Sequence, residues 1–248
     1  MESFFRSSGV IRDLNADVLG VVEADNRIAL KRFTDPLVRG TQGAPIYPHV
    51  MVIDGNDDRG IDVGVLAKTG LPIVGIRSHV DDTDADGKVF SRDCPEYRIA
   101  LPGGEHLVVL VNHFKSELGS QNEANRRRRR QALRAAEIYA QLIERGDRHV
   151  ALAGDLDDTP DSEALRPLLE NTTLRDISTH PSFTSDGRPG TFGSGTSRDK
   201  IDYVLLSPDL FDRVTGGGVW RLGVWGDKNG DLVPHYDPSP RLCTLPPT

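Results

Sequence analysis

The stretch Val150-Ala151-Leu152-Ala153-Gly154-Asp155-Leu156-Asp157-Asp158-Thr159-Pro160 decides the reading of this chain. Its apolar start reads as a buried strand. Gly154 lets the backbone turn, and acidic side chains emerge at the strand's carboxyl end. Asp155 and Asp157 stand two apart, so an extended backbone points both to one face. Carboxylates crowded in this way repel unless a cation or a proton lies between them. Hard oxygen ligands at a strand tip suit Mg²⁺ or Mn²⁺. The same residues also read as an Asp-rich turn closed by Pro160, with Asp161 or Ser162 capping the next helix.

Working outward, apolar runs alternate with polar segments. Strands are expected at 18–23, 50–54, 61–68, 73–79, 97–101, 106–112, 150–153, 201–207 and 219–224. Leu101-Pro102-Gly103-Gly104-Glu105 reads as a hairpin turn, so part of the sheet is antiparallel. The clearest helix spans 122–145, with Ala132, Leu133, Ala136, Tyr139, Ala140 and Ile143 at helical spacing and Gly146 at its end. A shorter helix is expected over 161–169, with Pro167 near its end. Residues 81–88 and 183–200 read as polar, Gly-rich loops. Strands alternating with helices indicate an α/β fold.

A chain of 248 residues with 37% hydrophobic content can build one large domain. The net charge of -7 argues against a nonspecific, high-affinity nucleic-acid binder, though a local basic groove remains compatible with it. Cys94 and Cys243 are too few for a disulfide framework, and the sequence does not show whether they pair. No stretch reaches the roughly 20 apolar residues of a membrane span. Met1-Glu2-Ser3 begins no signal peptide, so a cytoplasmic product is the default, or a secreted one if the true start lies upstream.

Four motifs in order carry a resemblance. Asp17-Val18-Leu19-Gly20-Val21-Val22-Glu23 is an apolar strand ending in a carboxylate. Leu107–Ser116 contains Asn112-His113-Phe114-Lys115 at a strand end. Gly154-Asp155-Leu156-Asp157 follows, and Lys200-Ile201-Asp202-Tyr203 opens the last of these strands. Together they resemble the endonuclease/exonuclease/phosphatase superfamily, the fold of deoxyribonuclease I. Gly60–Leu66, Phe90–Cys94 and His113–Ser116 look like a bacterial branch of predicted phosphodiesterases.

The resemblance implies a four-layer α/β/β/α sandwich with mixed sheets, occupying 1–233, with 234–248 as a Pro-rich irregular tail. It implies divalent-metal-dependent hydrolysis of a phosphoester, DNA or RNA among the substrates, with Mg²⁺ or Mn²⁺ as cofactor. Glu23 and Asp155 match metal ligands, and Asp155 also the group that orients the attacking water. His113 matches a histidine on the scissile phosphate. Asp202 matches the aspartate that orients the family's catalytic histidine. Asn112 and Lys115 are expected to help bind phosphate. Relatives normally carry asparagine where this chain has Asp157, whose carboxylate accepts but cannot donate to a phosphate oxygen. No membrane span and no protein partner are expected.

Two family elements have no counterpart. Relatives begin with a strand carrying an active-site asparagine, whereas sixteen residues precede Asp17 here and Asn15 is a poor substitute. Relatives end with Ser-Asp-His, whereas this sequence contains no Asp-His pair and its tail holds five prolines. An incomplete member with weak or lost activity is therefore expected. Phosphatase, phospholipid phosphodiesterase and a non-catalytic metal- or phosphate-binding remnant are the alternatives. Arg126–Arg130 fan round a helix rather than forming one basic face, and should pair with Glu123 or other acids or be solvated. Asp54–Gly60 reads as a turn rather than a calcium loop. His235 is a weak candidate for the missing base, and Trp220 and Trp225 carry no motif.

Overall fold

Alternation in the apolar strands splits the interior into three cores, and the layers follow from them. The computed structural model describes residues 2–40, 42–116, 120–185, 187–192, 195–196 and 199–221, with side chains from Ser8 onward. The chain runs through helix α1 (Glu2–Leu14), strand β1 (Val18–Ala24), helix α2 (Arg27–Leu37), and strands β2 (His49–Ile53) and β3 (Asp62–Ala67). These strands form an antiparallel sheet ordered β1-β3-β2. Strand β3 is buried at every position, as its central place requires.

Strand β4 (Ile73–Arg77), the small hairpin β5 (Thr83–Asp84) and β6 (Gly87–Lys88), β7 (Glu96–Ala100) and β8 (His106–His113) come next. Helix α3 (Gln121–Glu144) then crosses to β9 (Val150–Asp155), which lies parallel to β8. Helix α4 (Arg166–Leu169), β10 (Arg175–Asp176), β11 (Phe183–Thr184), β12 (Asp202–Leu206), helix α5 (Pro208–Phe211) and β13 (Gly217–Gly218) complete the described elements. The second sheet is ordered β10-β12-β9-β8-β7-β4.

The period-2 pattern of β8 shows how the layers are held. Val109 and Val111 join Val63, Val65, Tyr97 and Ile99 between the sheets. Val108 and Leu110 turn the other way and pack with Ala132, Ala135, Ile138 and Leu142 of α3. A third core places Leu30 and Phe33 of α2 on Val50 and Leu66. The result is α/β/β/α, as the resemblance implies. Each large side chain buried under α3 contributes about 1.5–3 kcal/mol.

Several expectations change. Helices α1 and α2 were not read from sequence; α2 starts at the N-cap Asn26, whose Oδ1 accepts from Ala29 N–H at 2.8 Å. The helix expected at 161–169 shrinks to α4, because Thr159 and Ser162 bond to Asp161 and Asp158 and hold a turn. Pro167 sits in the first turn of α4, where its missing N–H costs nothing, rather than at the end. The strand expected at 219–224 is replaced by β13, paired parallel with β11; residues 222–224 lie outside the described residues. Residues 234–248, with His235 and Cys243, lie outside them too, as does Trp225.

Candidate active site

Three strand tips lie side by side. In register, His113 of β8 faces Asp155 of β9, and Asp155 faces Asp202 of β12. The cleft between the sheets, about 420 Å³, is lined by Val18, Val22, Val109, Ala151 and Ala153, and reaches Asp155 and Asp202. Gly154 does not turn the chain as its sequence context suggests. It sits inside β9 with φ 138°, and a Cβ there would lie 1.9 Å from Asn112 O. Close strand approach, rather than a turn, demands glycine here.

Strand β9 stops at Asp155. Asp157 then adopts φ 55°, and its N–H donates to Asp155 Oδ1 at 2.8 Å. This side-chain-to-backbone turn folds Asp157 back over the strand tip. Its Oδ2 comes to 3.5 Å from His113 Nε2. Ligand atoms of His113, Asp155 and Asp157 all lie within 4.8 Å of one another. The two carboxylates therefore converge through a left-handed turn and not, as the spacing suggests, through an extended backbone.

Burial, then the charges of Asp157 and Asp202, push the Asp155 carboxyl up to about 7. Asp202 is also pushed up, chiefly by burial, against a hydrogen bond from Thr191 and the charge of Lys200. His113 Nδ1 and Asp157 Oδ2 are buried with no hydrogen-bond partner. Buried ligand atoms left unsatisfied beside a carboxyl that resists ionising fit a bound divalent cation.

The other candidates are placed differently. Glu23 lies in a bulge of β1 with φ 59°, is exposed, and is not part of the three-residue cluster. It is on the same end of the sandwich, within electrostatic reach of Arg59 and Arg92, which also feel Asp157. Asn112 points to the opposite face of the sheet from His113, is fully buried, and lies beside the Cys94 thiol. It is thus not brought to the tip cluster. Lys115 follows His113 along the loop and lines a pocket with Arg59, Arg92 and Arg127.

Residues that the sequence reading passed over hold these loops. Arg128 is wholly buried; its Nε lies 2.9 Å from Asp158 Oδ2, and its Nη1 donates to Lys115 O at 2.9 Å. Gln131 accepts from Lys115 N–H, and Tyr203 OH donates to Asp158 O. So α3 clamps the loops that follow β8 and β9. Arg128, Gln131, Ala132 and Ala135 recur at helical spacing, and that register was the available signal. The neighbours of Arg128 pair outward, Arg126 with Asp86 and Arg130 with Asp84, as expected for part of the run.

The model of the endonuclease/exonuclease/phosphatase family matches residues 8–226. The chain belongs to that family. Its members are metal-dependent hydrolases acting on phosphoesters such as nucleic acids. Solved endonuclease/exonuclease/phosphatase folds match closely in shape. A family protein from Bacteroides thetaiotaomicron superposes with a TM-score of 0.62 at 17% identity, covering 84% of this chain and 74% of that one. A mannosyl-6-phosphatase from the same organism gives 0.63 at 16% identity, covering 84% and 77%. The human Nocturnin catalytic domain, solved with a bound sulfate anion, gives 0.62 at 14% identity, covering 84% and 76%. A search of curated protein sequences gave no match. Among the described residues, no helix is long and apolar enough to cross a membrane.

Proposed function

We propose that this chain hydrolyses phosphodiesters, in the manner of a nuclease, with Mg²⁺ or Mn²⁺ held by Asp155 and Asp157. The convergence of His113, Asp155 and Asp157 within 4.8 Å at adjoining strand tips carries the reading. A cation bound there polarises a phosphoryl oxygen and offsets the negative charge that develops during attack. His113 Nε2 donates to a phosphate oxygen on the side facing the carboxylates. Asp155 orients the attacking water. Asp202, next to it across β9 and β12, strengthens its hold on a proton near neutrality. Lys115 draws the substrate's phosphate toward the tips. Glu23, exposed at the β1 bulge, stands outside this cluster.

Turnover should be slow. Asp157 places a carboxylate where the resemblance implies a neutral amide, and a carboxylate cannot donate to a phosphate oxygen and repels it. The fold shared with a mannosyl-6-phosphatase supports phosphomonoester hydrolysis as a second reading.

The test is a panel of plasmid DNA, RNA, bis(p-nitrophenyl) phosphate, sphingomyelin and mannose 6-phosphate. Each is assayed with Mg²⁺, with Mn²⁺ and with chelator. Metal-dependent cleavage of a diester, abolished in Asp155→Ala, is expected. Cleavage of the monoester alone would replace this reading with the second. Mn²⁺ binding without turnover on any substrate would leave a non-catalytic remnant.

A further inference from the structure

The row of strand tips Asp202–Asp155–His113 has a basic neighbour on the β8 side. Two residues beyond His113, Lys115 enters a pocket of about 430 Å³ shared with Arg59, Arg92 and Arg127. Arg92 anchors this wall, donating from Nη1 to Phe114 O at 2.9 Å. The acids lining the pocket are Asp57 and Asp58. Asp57 serves two guanidiniums, Arg59 at 3.0 Å and Arg92 at 3.0 Å, and its carboxyl is held down to about 2, first by its hydrogen bond from Arg59.

Among the described residues that line the pocket, four cations stand with two carboxylates, and Glu23 and Asp157 lie within electrostatic reach of Arg59 and Arg92. Arg127 stands apart within its own helix. Arg126, Arg128 and Arg130 each pair with an acid, and Arg129 donates to Glu163 O. Arg127 makes no ion pair among the described residues, and its Nε is buried without a hydrogen-bond partner. A purely structural arginine would be neutralised, as Arg126, Arg128 and Arg130 on α3 are.

We propose that this pocket, with Arg59 and Arg127 as its binding groups, is a subsite for a second phosphate of the substrate. Guanidiniums match phosphate oxygens bidentately, which a solvated charge run does not need. The subsite rests on the proposed function only for the identity of the phosphate next to it, at His113. The second phosphate belongs either to the next link of a nucleic-acid strand or to a small bisphosphate.

Equilibrium binding in chelator, where no turnover occurs, tests this. The probes are thymidine dinucleotide bare, 5′-phosphorylated and 3′-phosphorylated, and inositol mono- and bisphosphate. In one of the two series, the extra phosphate should tighten binding by about tenfold. Arg59→Gln/Arg127→Gln should remove that gain, and Arg59→Lys/Arg127→Lys should keep part of it. Both arginines reach the surface, and a melting curve confirms that each variant folds. A gain in the dinucleotides assigns the pocket to a strand, and a gain in the inositol pair to a small bisphosphate. No gain in either series, or a gain that survives Arg59→Gln/Arg127→Gln, overturns the subsite. A gain without cleavage in the metal-dependent assays would sink the proposed function and leave the subsite standing.

Discussion

Replacing Asp155 by asparagine should make the metal-free protein more stable. The Asp155 carboxyl is pushed from 3.8 up to about 7 by burial and by Asp157 and Asp202, so the folded state resists its ionisation. The sign follows from linkage. With the folded value raised above the unfolded one, the native state binds the proton more tightly. The penalty is absent below about pH 4, grows between the two values, and is full above about pH 7. That interval, at about 1.4 kcal/mol per unit, sets a ceiling of about 4 kcal/mol. Residual exposure and screening reduce the expected gain to roughly 2 kcal/mol. For a chain of this size this is a rise of about 4–8 °C in Tm. Asparagine keeps the Oδ1 that accepts from Asp157 N–H at 2.8 Å, so the turn survives. Thermal melts in chelator at about pH 8 and about pH 5 should show the gain at the higher pH and much less at the lower. Adding Mn²⁺ should then stabilise the native sequence and leave Asp155→Asn unchanged. An Asp155→Asn protein no more stable than its parent at the higher pH refutes the electrostatic account of the cluster.

The other variants probe separate links. Asp157→Asn tolerates the φ of 55° and removes one charge beside Asp155; it should weaken Mn²⁺ binding by about tenfold, read by calorimetry, while Tm holds or rises. His113→Gln should cut metal-dependent diester cleavage by about 100-fold or more and shift stability little, read by paired rate and melting measurements. Gly154→Ala should destabilise by at least about 2 kcal/mol in urea titration, because its Cβ would meet Asn112 O at 1.9 Å. Arg128→Met should cost about 2–3 kcal/mol by leaving the half-buried Asp158 carboxylate without its cation, and a second change, Asp158→Asn, should restore part of it.

Much of the architecture was legible because it rests on periodicity. Val109 and Val111 against Val108 and Leu110 already separate the inter-sheet core from the helix-side core, and α3 shows its buried stripe. Helix α2 escaped because its apolar residues Ile28, Leu30 and Phe33 are interleaved with Lys31, Arg32 and Pro36, although Asn26 marks its start. The polar turn before α4 passed for helix because its side-chain bonds, Thr159 to Asp161 and Ser162 to Asp158, are not written in any hydropathy pattern.

The tip cluster was legible as a set of residue types but not as a geometry, and the reason lies in the backbone. Strand direction alone sends residues 155 and 157 to one face only while the chain stays extended. Here the ladder ends at Asp155, and the register with Asn112 and Tyr203 leaves room only for glycine at 154. The next residues must leave the sheet, and Asp157 does so in a left-handed conformation that aspartate tolerates better than most side chains. A carboxylate at 157 therefore serves two ends. It permits the turn, and it adds a charge that Asp155 can accommodate only with a proton or a cation between them. In the proposed site the Asp157 carboxylate thus favours a bound cation while repelling a phosphate. The cations of the neighbouring basic pocket, Arg59, Lys115 and Arg127, lie where they can offset that repulsion.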